Sequence, residues 1–148
     1  MCHEKTFVYE KSLALMKTAQ VAIEQFPQGF AFLADQLRRN TSSVHHNFAE
    51  GYYQESRRQQ RRFFGYAIQS AREASASFDT AAAFHTADGQ TVARGKGLAL
   101  EVVRMLSKFS TGQGRQDSEP VVSKTASSQD TRLQVVREQD GMPMSRQR

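Results

Sequence analysis

The sequence has little of what marks a secreted, disulfide-bonded or membrane-spanning chain. It contains one cysteine among 148 residues, so no intramolecular disulfide can form, and Cys2 has no partner at a metal-ligand spacing. No window approaches about 18 consecutive apolar residues, and residues 1–9 lack the apolar core of a secretory signal. We therefore expect a protein of a reducing compartment, by default the cytoplasm, with no membrane span.

Composition and charge change along the chain. The hydrophobic fraction is only 39%. Residues 1–111 contain 14 Lys and Arg against 10 Asp and Glu, whereas residues 112–148 contain 6 against 5. The second segment is rich in Ser, Gln and charge, so it cannot bury enough surface to offset the entropy of ordering. We expect a basic folded domain over residues 1–111 and a flexible polar tail over residues 112–148.

Apolar residues repeat at alternating spacings of three and four in four segments, which predicts amphipathic helices. The segments span residues 6–26, 30–48, 56–87 and 91–109. The predicted seams are Val8, Ser12, Leu15, Ala19, Ala22 and Phe26; Phe30, Leu33, Leu37, Thr41, Val44 and Phe48; Phe64, Ala67, Ala71, Ala74, Phe78 and Ala81; and Leu98, Val102, Met105 and Phe109, with Val103 and Leu106 beside the last. Short connections between such helices predict an all-α, antiparallel up-down-up-down four-helix bundle.

Turn and capping residues define the predicted helix ends. Gly51 is placed to cap the second helix in a left-handed conformation, and Ser56 with Gln59 is typical of a capping box for the third. Asp88-Gly89 is a turn signal before the fourth helix. Two glycines, each roughly 1 kcal/mol less favourable than alanine inside a helix, are expected to fray the first turns of the fourth helix. They are Gly95 and Gly97.

The most unusual feature is a group of arginines at the start of the third helix. Its members are Arg57, Arg58, Arg61 and Arg62, and Arg38 and Arg39 precede them on the second helix. Like charges at i,i+4 cost a few tenths of a kcal/mol, and cations are disfavoured at the positive end of a helix dipole. Such a cluster is understandable if it meets a polyanion or an acidic protein surface.

Two interpretations of this cluster stay open. Arginine is a good helix former and solvation weakens the repulsion, so the cluster is also compatible with a solvated helix face. Aromatic residues interleave with the arginines, a combination used on single-stranded RNA, although Phe64 also belongs to the predicted core. These aromatics are Tyr52, Tyr53, Phe63, Phe64 and Tyr66.

Catalytic and metal-binding patterns are weak. His46 and Glu50 lie one turn apart beside His45, but the chain has only two other histidines, His3 and His85, and both are remote in sequence. Neither an H-E-x-x-H nor an E-x-x-H pattern is present. Ser42 and Ser43 point to different faces from His45, and no third group orients the imidazole. We expect no enzyme activity, no metal and no cofactor.

The end of the second helix carries a polar pair among apolar residues. Asn47 and Glu50 are three residues apart and share a face next to Gly51. Both side chains could bond backbone groups of the following turn. We interpret them as a structural clasp of the corner between the second and third helices.

Several stretches carry a resemblance to a known family. Gln36-Leu-Arg-Arg39, followed by Ser43-Val-His-His-Asn-Phe-Ala-Glu-Gly51, resembles the signature of the bacterial four-helix-bundle family of ribosomal RNA intervening-sequence proteins. Further similarities lie in the third and fourth helices, at Phe63-Phe64, Ala67, Ser70-x-x-Glu73 and Val103-x-Met-Leu106. The resemblance covers about residues 7–109. Its departures are His45 or His46 in place of a frequent proline, Gln69 in place of a common glycine, and the long tail.

This resemblance implies a subunit that assembles into a homo-oligomeric ring, a pentamer, with a basic surface. The family is related to accessory proteins of diversity-generating retroelements, whose ring is similar in role to a scaffold for reverse transcriptase and nucleic acid. By position, Arg38 and Arg39 match the family's paired arginines. The signature positions are Asn47, Glu50 and Gly51.

The expected function combines the charge pattern with the resemblance. We expect a non-enzymatic homo-oligomer that binds RNA or another nucleic acid, with a reverse transcriptase as a further candidate partner. The alternative is a homo-oligomeric protein–protein adaptor without nucleic-acid binding. The residues expected to contact nucleic acid are Arg38, Arg39, Arg57, Arg58, Arg61 and Arg62.

Overall fold

The computed structural model describes residues 6–111, and this part of the chain is almost entirely helical. Its helices are α1 (Phe7–Gln25), α2 (Ala31–Tyr52), α3 (Arg57–Ala83) and α4 (Gly89–Thr111). The predicted all-α class is confirmed. The predictions made for Cys2 and for the tail over residues 112–148 concern residues outside the described range. Among the described residues, no helix combines the length and the apolar character that a membrane span requires.

Neighbouring helices run antiparallel, and each helix packs against two others around the bundle. Along α2 and α3, Phe48 stacks on Phe64, whereas the earlier Asn40 bonds the later Ser77. Phe64, near the start of α3, also contacts Phe109, near the end of α4. Contacts that join late positions of one helix to early positions of the next give the predicted up-down-up-down order.

The spacing of apolar residues predicted the core well. All six seam positions of α3 are buried, and so are the seam positions of α1 and α2 apart from the half-buried Phe26 and Phe30. In α4 the prediction was partly wrong, because Leu106 is fully buried whereas Met105 is half-buried and Phe109 exposed. The buried stripe of α4 thus continues four residues after Val102 rather than three. Burying a leucine side chain is worth roughly 1.5–3 kcal/mol, so this position contributes substantially to the core.

The corner between α2 and α3 differs from the predicted capping scheme. The prediction that Gly51 caps α2 was wrong, because α2 continues to Tyr52 and Gly51 lies buried inside it. A Cβ added at Gly51 would lie 2.8 Å from ring carbons of Phe64 and 3.0 Å from the Cβ of Phe63. This glycine is therefore needed for the close approach of α3. Ser56 occupies the N-cap position of α3, but within the described residues its side chain makes no capping hydrogen bond, so the predicted capping box is not formed.

Helix α3 ends four residues earlier than predicted, in a Schellman motif. His85 adopts a left-handed conformation with φ of 53°. The amide of Thr86 donates to the carbonyl of Ala81 at 2.9 Å, and the amide of His85 donates to the carbonyl of Ala82 at 3.1 Å. These two bonds satisfy carbonyls that the helix end leaves without intrahelical partners. The position usually taken by glycine is a histidine here, which hid the boundary from sequence reasoning.

Helix α4 begins two residues before its predicted start, and it is regular from Gly89 onward, in contrast to the expected fraying. Asp88 accepts hydrogen bonds from the amide of Thr91 at 2.8 Å and from its hydroxyl at 2.6 Å, and so acts as the N-cap. The amide of Asp88 donates to the side-chain carbonyl of Gln25, in the last turn of α1, at 2.8 Å. The predicted Asp88-Gly89 turn is therefore a capped helix start that is also tied to α1.

The Asp88 cap makes stability depend on pH. The side-chain hydrogen bond from Thr91, then the Thr91 amide and Gln25, lower the pKa of Asp88 from 3.8 to about 2. A lowered pKa means that the carboxylate stabilises the fold above about pH 4 and loses this effect as the pH falls toward 2. Asp88→Ala is expected to lower the urea midpoint at neutral pH, and the gap to the unmodified protein should close between pH 4 and pH 2. A gap that stays constant down to pH 2 would contradict this assignment.

Candidate nucleic-acid interface

Four arginines lie together on the first two turns of α3. We call Arg57, Arg58, Arg61 and Arg62 the arginine corner; all four side chains are exposed. The ion pairs formed within residues 6–111 are Lys11–Glu101, Arg39–Asp35 and Lys96–Asp79, so no described carboxylate pairs with the corner. Its positive charge is therefore not neutralised inside the described domain.

One arginine of the corner is held by an aromatic neighbour. The Nε of Arg62 donates to the hydroxyl of Tyr66 at 2.7 Å, and its guanidinium carbon lies 5.6 Å from the centroid of the Tyr66 ring. The hydrogen bond uses one of the five guanidinium donors. Four donors remain for a ligand, on a side chain whose orientation is already restricted.

Arg38 and Arg39 are exposed but lie away from the corner. They occupy the middle of α2, and Arg39 is about 18 Å along the helix axis from Gly51, the residue that contacts the start of α3. Arg39 also pairs with Asp35 at 2.8 Å, with both side chains largely in solvent. Such an exposed pair is weak. The structure thus does not bring the two predicted arginine groups together.

The predicted polar clasp is formed differently from expectation. The amide of Asn47 donates back along α2, to the carbonyl of Ser43 at 2.8 Å and to its hydroxyl oxygen at 2.9 Å. The Ser43 hydroxyl is in turn 2.9 Å from that of Ser70 on α3. Glu50 accepts a hydrogen bond from the side chain of Gln54 in the turn, at 2.9 Å. The prediction of bonds to the backbone of the turn was wrong, and Asn47 instead supports the α2–α3 interface.

The interleaved aromatics divide into core and surface. Phe64 is buried and stacks on Phe48 at 5.8 Å. Tyr52 is half-buried, with its ring 5.9 Å from Phe48 and 5.5 Å from Tyr53. Tyr53 is 61% exposed and Tyr66 41% exposed. Packing therefore explains the buried members, and the two exposed tyrosines stand at the same corner as the arginines.

The histidine pair has local structural partners. The Ser12 hydroxyl donates to the carbonyl of Tyr9 at 2.8 Å, so at its contact of 2.8 Å with His45 Nδ1 its oxygen accepts a hydrogen bond from Nδ1–H. His46 Nδ1 donates to the carbonyl of Ser42 at 2.8 Å. Sequence reasoning missed the Ser12–His45 bond; the available signal was a serine on an otherwise apolar seam. Within residues 6–111 no group of three or more potential metal ligands is present.

Residues 4–108 match the family described as 23S rRNA-intervening sequence protein. The chain belongs to this family. No curated protein matches the chain. The part of this intervening-sequence protein that matches includes the arginine corner, Tyr53 and Tyr66, and it ends three residues before the end of α4.

Proposed function

We propose that this intervening-sequence protein is a non-enzymatic, homo-oligomeric RNA-binding bundle of the cytoplasm, a pentameric ring in which the arginine corner contacts RNA. The observation that carries the proposal is the arginine corner itself, four exposed guanidinium groups for which no described carboxylate provides an ion pair. The family description, which names ribosomal RNA, supports an RNA-related role.

The local electrostatics favour an anionic ligand. Arg57 and Arg61, and likewise Arg58 and Arg62, are one helical turn apart, so like charges stack. They stand at the N-terminus of α3, where the helix dipole is positive and the side chain of Ser56 provides no capping bond within the described residues. Bound phosphate groups would reduce both the repulsion between the arginines and their unfavourable interaction with the helix dipole.

Exposed apolar side chains support self-association. Leu100 on α4 is 48% exposed. Phe32 is 59% exposed and Phe84 57% exposed, and both lie at the end of α2 and α3 that is away from the arginine corner. Their ring centroids are 6.0 Å and 5.5 Å, respectively, from that of Phe30. Burying such rings in contacts between subunits would remove apolar surface from water. The same surfaces favour the second candidate, a homo-oligomeric protein–protein adaptor that binds no nucleic acid.

A reverse transcriptase is part of the proposal as a protein partner. The relation between the intervening-sequence protein family and accessory proteins of diversity-generating retroelements, which the sequence resemblance implies, supports it. Co-purification with the reverse transcriptase of the same genome is the expected result, and a complex that forms without RNA would assign the contact to protein surfaces.

Two measurements on the purified chain test the proposal. Light scattering is expected to give five times the subunit mass of 16.7 kDa. Fluorescence anisotropy with a labelled RNA is expected to show affinity that falls with salt, with a log–log slope near −0.7 for each phosphate contacted on a single strand. An oligomer that binds no RNA at low salt would favour the adaptor, and a monomer would refute the ring.

A further inference from the structure

The arginine corner contains an aromatic surface as well as a charged one. Tyr66 lies one helical turn after Arg62 and is 41% exposed. Its hydroxyl accepts the hydrogen bond from Arg62, and its ring meets Phe63 edge-on, with centroids 6.1 Å apart and planes at 86°. Arg62, whose guanidinium carbon also lies over the ring at 5.6 Å from its centroid, and Phe63 thus hold the ring from two sides, while part of the side chain stays in contact with solvent.

The helices under this surface are closely packed. Phe63 would lie only 3.0 Å from a Cβ on Gly51, so α2 and α3 are in close contact directly beside the tyrosine. Tyr53, at the end of α2, is connected to the core through its ring contact with Tyr52 and the contact of Tyr52 with Phe48. Rings that are already ordered lose little conformational freedom when a ligand stacks on them.

An ordered, exposed ring beside arginines distinguishes between forms of RNA. In an A-form duplex the faces of the bases are covered by their neighbours, and a protein contacts phosphates, 2′-hydroxyls and the shallow groove. Unpaired bases expose their faces and stack on tyrosine, whatever their identity, while arginines follow the backbone. A duplex would satisfy the guanidinium groups but leave Tyr66 in water.

We infer that the arginine corner takes unpaired nucleotides, with a base stacked on Tyr66, and that Tyr66 sets the preference for single-stranded over duplex RNA. This inference rests on the proposed RNA-binding function. Tyr53, 61% exposed at the end of α2, adds a second aromatic side chain to the corner between α2 and α3.

The test uses the full chain and two RNA probes that share one strand. The probes are a labelled oligouridine and the duplex which that strand forms with oligoadenine. Tyr66→Ala is expected to weaken binding of the single strand by about 5-fold to 150-fold, the range that a stacked base contributes, and to change duplex binding little. Tyr66→Phe keeps the ring and loses only the hydroxyl bonded to Arg62, so single-strand affinity should stay close to that of the unmodified protein.

The outcomes distinguish a failure of the stacking inference from a failure of the proposed RNA-binding function. A protein that binds the duplex as tightly as the single strand, or a Tyr66→Ala variant that loses affinity for both probes equally or for neither, would overturn the stacking role while RNA binding stands. Binding of neither probe would refute the proposed function and the inference with it. Circular dichroism of each variant verifies that the bundle is folded.

Discussion

Gly95→Ala is expected to lower the free energy of unfolding by about 1–3 kcal/mol, the range observed when a packed core is overfilled. Gly95 is buried on α4 and faces the ring of Phe78 on α3. An added Cβ would fall 2.5 Å from both Cε atoms of that ring and closer still to Cζ. Phe78 is completely buried, so its ring cannot move aside into solvent.

Gly97 provides the matched control two residues away on the same helix. A Cβ added there meets nothing within 4 Å. Alanine is up to about 1 kcal/mol more favourable than glycine inside a helix, so Gly97→Ala should raise the free energy of unfolding. Helix propensity alone predicts that both substitutions stabilise, whereas the packing predicts opposite signs.

Urea unfolding followed by circular dichroism measures both changes. Combining Gly95→Ala with Phe78→Leu should show coupling of about 0.5–3 kcal/mol, because the smaller side chain makes room for the new methyl group. If Gly95→Ala and Gly97→Ala stabilise equally, the close approach of α3 and α4 at this point is wrong.

These glycines illustrate what the sequence could and could not predict. The seam of α3, from Phe64 to Ala81, followed from spacing alone, because periodicity is a local property that reports which face is buried. The role of Gly95 depends on Phe78, which is distant along the chain, and a residue without a side chain gives no sign of its neighbour. Likewise, the sequence around Gly51 indicates a helix cap, whereas the actual role of Gly51 depends on the ring of Phe64 packed against it.

The candidate site divides in the same way. The exposure of Arg58 and Arg62 follows from their positions off the predicted seam, whereas Arg57, seven residues before Phe64, continues the seam and is nevertheless exposed. The bond between Arg62 and Tyr66 follows their i,i+4 spacing. The distance of Arg39 from the corner, by contrast, depends on how antiparallel helices align. The ion pair of Arg39 with Asp35, in contrast, follows from their i,i+4 spacing in the sequence.

Replacing all four arginines of the corner with glutamine is expected to remove most of the salt-dependent RNA binding. If each arginine contacts one phosphate of a single strand, the log–log slope should become shallower by about 2.8 per subunit. The affinity that these contacts contribute would fall roughly 50-fold between about 50 mM and 200 mM salt, and the variant should lack that fall. Anisotropy titrations of a labelled oligouridine at several salt concentrations measure both quantities.

The fold is expected to tolerate this change. Glutamine and arginine have similar helix propensities, and the substitution removes two like-charged i,i+4 pairs as well as cations at the positive end of α3. The urea midpoint of the variant should therefore stay the same or rise slightly. A loss of RNA binding together with unchanged or greater stability would show that the arginines serve a ligand at the expense of the isolated helix.

A control with the same net charge distinguishes the corner from general electrostatic attraction. Its substitutions, also to glutamine, are at four exposed cations outside the corner: Lys17, Arg72, Arg94 and Arg104. This control should retain most of the affinity at constant salt, because contacts within hydrogen-bonding distance of phosphate are kept and only the longer-range field is reduced. Equal losses in both variants would mean that RNA responds to total charge alone. Affinity that survives removal of the corner would show that the RNA contact lies elsewhere on the bundle.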